Sequence, residues 1–424
     1  MSNNTYEVFK GIKYAESRRF RNSKLLNFTF TKSNSYGSIC PQPYNPLDSI
    51  FSKTSQILTQ SEDCLYLNVW KNASPNEKKP VMIWIHGGGF VNGHGSAELN
   101  TPDLFVQNND CIVVTFNYRL GAFGFLDLSD YGVYDINVGL YDQLNAIKWV
   151  HKNIKKFGGD PNNITLAGQS AGAMSIQALL KIPELNNYVE KAILMSGVFQ
   201  GPRVDEVKNI GRKFMENLKQ KFPEKSLDDL KTDEILSIAK YMSKLTNGSN
   251  SMELMFQPVF EEEKMTVDNI DIPILIGTTA DEGSIYIYNN DSKINKSEFA
   301  GLLEHVGINQ KGLLYETYEQ QADIITEFYF KRPTYNLAKK TSNCWVYEFQ
   351  WNDHKHPIFK KSTHILDLPF LFGHLDILKN QDVQIYDYEL KLSKEIMNDW
   401  YKLMKFGELN WPKYNDEKYV KIYK

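Results

Sequence analysis

The chain has 424 residues, 42% of them hydrophobic and 23% charged, with 48 basic side chains against 51 acidic ones. A chain of this size buries roughly three quarters of the surface that it exposes when unfolded, so a full core is available. A net charge of −3 lacks the basic excess of a nucleic-acid binder, and 24 Tyr with 24 Phe exclude a disordered chain.

The first residues, MSNNTYEVFKGIKYAESRRF, contain no apolar stretch of the secretory kind. No run elsewhere approaches the roughly 20 apolar residues of a membrane span. A cytoplasmic protein is expected. The four cysteines, Cys40, Cys64, Cys111 and Cys344, form no C-x-x-C pair and are too few for a disulfide scaffold.

In chain order, LYLNVW (65–70), VMIWIH (81–86) and CIVVTFN (111–117) read as strands rich in β-branched and aromatic residues. The second and third are nearly continuous in apolar residues, as in strands buried on both faces. KNASPNEKKP (71–80) reads as a turn between the first two. Residues 139–157 read as a helix with Leu140, Leu144, Ile147 and Ile154 on one stripe. Asp142 is assigned to its first turn and Gly158-Gly159 to its stop. NITLAG (163–168) is the next strand, followed at once by the helix AGAMSIQALLK (171–181). KAILMSG (191–197) and IPILIGT (272–278) continue the strands, and 390–406 is an amphipathic helix through Leu392, Ile396, Trp400 and Leu403. Alternating strands and helices predict a mainly parallel sheet covered on both faces. No linker or repeat interrupts the chain, so 1–424 reads as one domain. The polar, helix-like stretch 201–258 is expected to be an insertion or a cap.

Two motifs carry chemistry. Gly168-Gln169-Ser170-Ala171-Gly172 fits G-x-S-x-G between a strand and a helix. Small residues on both sides let the backbone turn sharply and push the serine hydroxyl out. The helix N-terminus beneath it favours developing negative charge. His86-Gly87-Gly88-Gly89-Phe90 directly follows a strand. Three glycines there cost conformational entropy and serve no packing, but they let backbone N–H groups converge on one spot. The loop lacks the G-x-x-x-x-G-K-[ST] spacing of a phosphate site. A serine nucleophile needs an acid and then a histidine downstream. Asp281 and Glu282 follow a buried strand, and His305, His354, His356, His364 and His374 are available. Pattern alone does not choose among them, although His354 and His356 flank Lys355 in a polar loop and read as solvated. No ligand cluster for zinc is present, and no metal or other cofactor is expected.

With these residues in view, the chain resembles the type-B carboxylesterase family, which includes cholinesterases and bacterial p-nitrobenzyl esterases. The similarity spans nearly the whole length. It lies in Gly11–Ala15, Arg19-Phe20, Cys40-Pro41-Gln42, Ser61–Asn68, Asn117–Gly121 and Phe123–Phe125, and in Phe157–Pro161 through Ser170-Ala171-Gly172. The resemblance implies an α/β-hydrolase fold and hydrolysis of small to medium carboxylic esters through an acyl-enzyme. It implies Ser170 as nucleophile, Glu282 as acid and His364, in HILDLPFLFG, as base. It implies the N–H groups of Gly88, Gly89 and Ala171 as the oxyanion hole.

Departures from the family pattern are also visible. Gln169 stands where Glu is usual and Ala173 where Gly is usual. Neither is expected to touch the reacting groups, so tuned activity follows. The N-terminal strand region is short, the family's Pro/Gly segment between Ala15 and Arg18 is missing, and relatives continue by tens of residues beyond the segment matching Trp411-Pro412-x-Tyr414, so a more open site mouth is expected. Secreted members bridge the cysteines matching Cys40 and Cys64; in a reducing cytoplasm both are expected to be thiols, able to pair on exposure to air. The segment between them holds Tyr44 and Phe51 but no Trp. Cholinesterases hold a quaternary ammonium with such a Trp, so choline esters are not the expected substrates. The alternatives are a non-catalytic binding protein on the same fold and a lipase- or amidase-type hydrolase with the same triad. The expected partner is a small ester, with no nucleic acid; the oligomeric state stays open between monomer and dimer.

Overall fold

The computed structural model describes residues 5–29, 33, 35–45, 48–52, 58–199, 201–202, 204–247, 254–267, 271–288, 290–305 and 307–424, without the side chains of 48, 49, 244–247 and 305. Among these, nine strands form one sheet: β1 Tyr6–Lys13, β2 Tyr66–Asn72, β3 Lys79–Ile85, β4 Ile112–Phe116, β5 Gly159–Gln169, β6 Lys191–Met195, β7 Ile274–Thr279, β8 Cys344–Phe349 and β9 Val420–Tyr423. The order across the sheet is β1-β2-β4-β3-β5-β6-β7-β8-β9. Only β2 runs against its neighbours; the other pairings are parallel. The α/β-hydrolase expectation holds. Strands β8 and β9 are not evident in the sequence, because their apolar runs are short or broken by charge.

The central strands explain their own apolar continuity. Val81, Ile83 and Ile85 of β3 join the core on one face, and Met82 and Trp84 join the core on the other. Both faces are dry, so the period-2 alternation of a half-exposed strand is lost. Helix α1 (Val138–Asn153) covers the first face with Leu140, Leu144 and Ile147. A tight turn over Ile154–Phe157 then ends at Gly158 with φ 85°. Asp142 is not in the first turn of α1. It is fully buried in the second, where its two oxygens accept from Nε and Nη2 of Arg119, each at 2.7 Å. The acid there neutralises a buried guanidinium. Helix α2 (Ala171–Leu180) covers the first face as well, and the long helix α5 (Asp387–Phe406, numbered after the two helices below) covers the second with Leu392, Ile396, Trp400 and Leu403.

Between β6 and β7 the polar stretch forms α3 (Val204–Lys221) and α4 (Thr232–Asn247). Asn137, at the head of α1, ties down the returning chain: its amide donates to Val259 O and accepts from Val259 N, both at 2.8 Å.

Cys40 and Cys64 are bonded to each other, which corrects the expectation of two thiols. Their Cα atoms lie 4.9 Å apart and both side chains are buried. The thiol expectation rested on a reducing compartment, whereas folding brings the two side chains together in the core at bonding distance. Cys111 and Cys344 are free and buried.

Candidate active site

Strand β5 delivers Gln169 and then turns abruptly at Ser170, whose backbone has φ 55° and ψ −122°. A non-glycine residue in that region is strained and is held only by its surroundings. Here Ser170 N donates to Met195 O at 2.7 Å on the adjacent strand. Helix α2 starts at the next residue and packs close against β3. A Cβ on Gly172 would meet Ile85 O at 2.0 Å, so only glycine fits. The serine is half-buried, and its hydroxyl has no hydrogen-bond partner among the described residues.

The glycine loop lies beside this turn. Gly88 has φ 105°, and a Cβ there would meet Asn92 O at 2.1 Å, which corrects the expectation that these glycines serve no packing. Among the described residues the N–H groups of Gly88, Gly89 and Ala171 have no acceptor. Gly88 O accepts from the N–H groups of Val91 and Asn92, both at 3.1 Å, which holds the loop. His86 anchors it from below. It is buried, stacks on Tyr118 with ring centroids 4.5 Å apart, and contacts Gly87 O through Nδ1 at 2.8 Å. Burial pushes its pKa down to about 3, so the ring is neutral and donates from Nδ1.

Both candidate acids are employed, for different tasks. Glu282 is fully buried: its Oε1 accepts from Thr279 N at 2.8 Å and its Oε2 lies 2.5 Å from His364 Nδ1. Asp281 accepts from Ser362 N at 3.0 Å and pairs with Lys361 at 3.3 Å, which fixes the chain leading into His364. Ile365, just after the histidine, sits at φ 79°, a strained position for a β-branched residue.

The remaining histidines are elsewhere. His354 is exposed, as expected. His356 is not merely solvated: it stacks on Phe359 and contacts Gln381 O through Nε2 at 2.6 Å. His374 is buried against Asp103 at 2.9 Å and Thr101 O at 2.9 Å. The side chain of His305 lies outside the described residues.

Several neighbours of the site were not foreseen. Gln169 Nε2 lies 3.0 Å from His364 Nε2, so the residue before the serine touches the imidazole directly. That corrects the expectation that Gln169 stands clear of the reacting groups; its departure from the family pattern, beside the serine, was the available signal. Tyr286 and Phe330 flank the histidine ring at 6.0 and 5.1 Å, with Phe330 presented by a π-helical turn over Thr326–Lys331. Asp367 is buried nearby, accepts from the Tyr347 hydroxyl at 3.1 Å, and has no partner on its Oδ1. Burial, and then the charge of Glu282, push its pKa up to about 7. Nothing in the sequence around Asp367 marks it as buried beside a second carboxyl.

In the Cys40–Cys64 segment, Tyr44 is exposed and Phe51 packs in the core against Phe359. Among the described residues no group of three or more His, Cys, Asp or Glu is arranged to hold a metal. No helix among them is long and apolar enough to cross a membrane. A second depression near the N-terminus is lined by Lys13, Arg19 and Arg119. Each of these cations is paired, with Asp63, Glu62 and Asp142 respectively, which leaves no free charge for an anion.

Comparison with known proteins places the chain in a family. The model of the carboxylesterase family matches residues 1–311. The para-nitrobenzyl esterase of Bacillus subtilis (strain 168) is 37% identical over 413 residues, which cover 91% of this chain and 83% of that protein. Phenmedipham hydrolase of Pseudarthrobacter oxydans is 30% identical, covering 87% of this chain and 79% of its own. A solved PNB esterase structure superposes with a TM-score of 0.90 at 33% identity, covering 100% of this chain and 93% of that one. With its elbow serine, its glycine loop and these relatives, the chain belongs to the carboxylesterase family.

Proposed function

We propose that this carboxylesterase hydrolyses small to medium carboxylic esters through an acyl-enzyme on Ser170, with His364 as base and Glu282 as its orienting acid. The buried Glu282–His364 pair, with its outer nitrogen turned toward the end of β5, supports these roles most directly. The carboxylate accepts from Nδ1–H, which leaves Nε2 with a lone pair. When the Gln169 amide releases that lone pair, Nε2 takes the Ser170 proton as the oxygen attacks the ester carbonyl. The oxyanion accepts from Gly88, Gly89 and Ala171, each donor lowering the barrier by about 3–4 kcal/mol. The N-terminus of α2 adds to the same field. The imidazolium gives its proton to the leaving alcohol. Water then enters, deprotonated by the same nitrogen, and frees the acid.

The buried Phe330 and the exposed Tyr286 stack on each other beside the histidine, which supports a small apolar subsite. The Cys40–Cys64 segment carries no Trp, which supports neutral rather than quaternary ammonium leaving groups. We further propose that the chain works as one unit, with α3 and α4 as a cap. Leu254, on the return from that cap, lies 3.5 Å from where a Cβ on Gly89 would be.

The test is initial-rate hydrolysis of p-nitrophenyl esters from acetate to palmitate, with Ser170→Ala beside wild type. The expected result is serine-dependent turnover that peaks at short acyl chains. A peak at palmitate replaces the small subsite with a lipase-like one, and no turnover above the variant overturns the hydrolytic reading.

A further inference from the structure

Gln169 is 3% exposed, and its backbone is locked into the sheet opposite Met195. Its side chain runs past the glycine loop: a Cβ on Gly87 would meet Gln169 Oε1 at 2.6 Å. Its amide nitrogen then reaches His364 Nε2 at 3.0 Å, while the other ring nitrogen lies 2.5 Å from Glu282. The imidazole is therefore held at both nitrogens.

An amide NH2 only donates, so this contact is a hydrogen bond only when Nε2 carries no proton. That state is the neutral ring protonated at Nδ1, the same one that can accept a proton from Ser170. A carboxylate in this place reverses the preference. It only accepts, so it would stabilise the doubly protonated ring and add a negative charge beside it.

We infer that Gln169 is a positioning residue for the base: its amide fixes the neutral, Nδ1-protonated His364 and keeps it unprotonated to lower pH than a carboxylate at that position allows. This deepens the reading of His364 as the base and rests on it. The titratable groups facing the ring are Glu282 and Tyr286 on the turn after β7, and Asp367 on the turn after His364, itself bonded to Tyr347 of β8. All four are acids and all are unchanged in Gln169 variants, so a difference between variants reports on Gln169.

The experiment follows His364 itself. Full-length protein labelled with nitrogen-15 histidine is titrated by NMR as wild type, Gln169→Glu and Gln169→Met, with His364→Gln to assign the signal. The expected order of midpoints is wild type, then the Met variant, then the Glu variant, the last about 1 to 3 higher on the pH scale than wild type because a contacting opposite charge favours the protonated ring. The acid limb of kcat/KM on p-nitrophenyl acetate moves in the same order. Coincident midpoints in wild type and a Glu variant of unchanged Tm overturn the inference, as does a neutral wild-type ring protonated at Nε2. Failure of the hydrolytic reading looks different: Ser170→Ala keeps its turnover while the order of midpoints is still obeyed.

Discussion

Oε2 of Glu282 lies 2.5 Å from Nδ1 of His364, and neither side chain is more than 4% exposed. A carboxylate so placed can only accept, and it therefore dictates which ring nitrogen carries the proton. In Glu282→Gln the amide can donate to that nitrogen and select the other tautomer. The expected result is a kcat about 10³–10⁴-fold lower with KM little changed, read by steady-state kinetics on p-nitrophenyl acetate. A loss under tenfold would remove Glu282 from the proposed role.

Gly88 combines a left-handed backbone with no room for a side chain. Gly88→Ala forces the loop away from Asn92 and swings its N–H groups off the spot beside Ser170. We expect kcat to fall about 10²–10³-fold, the effect of losing one oxyanion donor. Retained kcat in a folded variant would mean that the donors lie elsewhere.

Asp367 connects the site to pH-dependent stability. Its pKa in the folded chain, pushed up to about 7 by burial and by Glu282, stands above the ordinary carboxyl value. The protonated form is thus favoured by folding. That stability is complete below about pH 4 and is lost as pH rises through about 7. Asp367→Asn removes the ionisation and keeps the shape. Urea denaturation is expected to show the variant more stable than wild type at pH 8, by at most about 4 kcal/mol. At pH 4 the difference should nearly vanish, and an equal difference at both values would exclude this origin.

Arg119 and Asp142 form a bidentate pair in which neither side chain is more than 5% exposed. Removing one partner strands a charge in the core, so Arg119→Ala should cost about 3–5 kcal/mol. Arg119→Met combined with Asp142→Leu should recover most of it, because the pair itself contributes little beyond its own desolvation. A double variant as unstable as the single one would show that the pair is worth more than that.

How much of this was legible beforehand depends on distance along the chain. The elbow around Ser170 and the loop at Gly88 and Gly89 are local: their residue types dictate a backbone path whatever the rest of the chain does. The buried strands were legible for the same reason, since β3 and β4 must be apolar on both sides. The residues alone left Asp281 and Glu282 open, along with five histidines, and it was the family resemblance that selected Glu282 and His364. The tertiary structure then gave each a place, for Glu282 and His364 meet across 82 residues of sequence and Gln169 and His364 across 195. No local propensity encodes such a contact. The same holds for Asp142 and the two bridged cysteines, whose partners are brought near only when separate elements pack. The sequence by itself determined the buried central strands and the sharp turn that presents Ser170, because these follow from local backbone geometry and solvent. Only the folded sheet decided which acid, which imidazole nitrogen and which amide meet, because burial and distance belong to the packed whole.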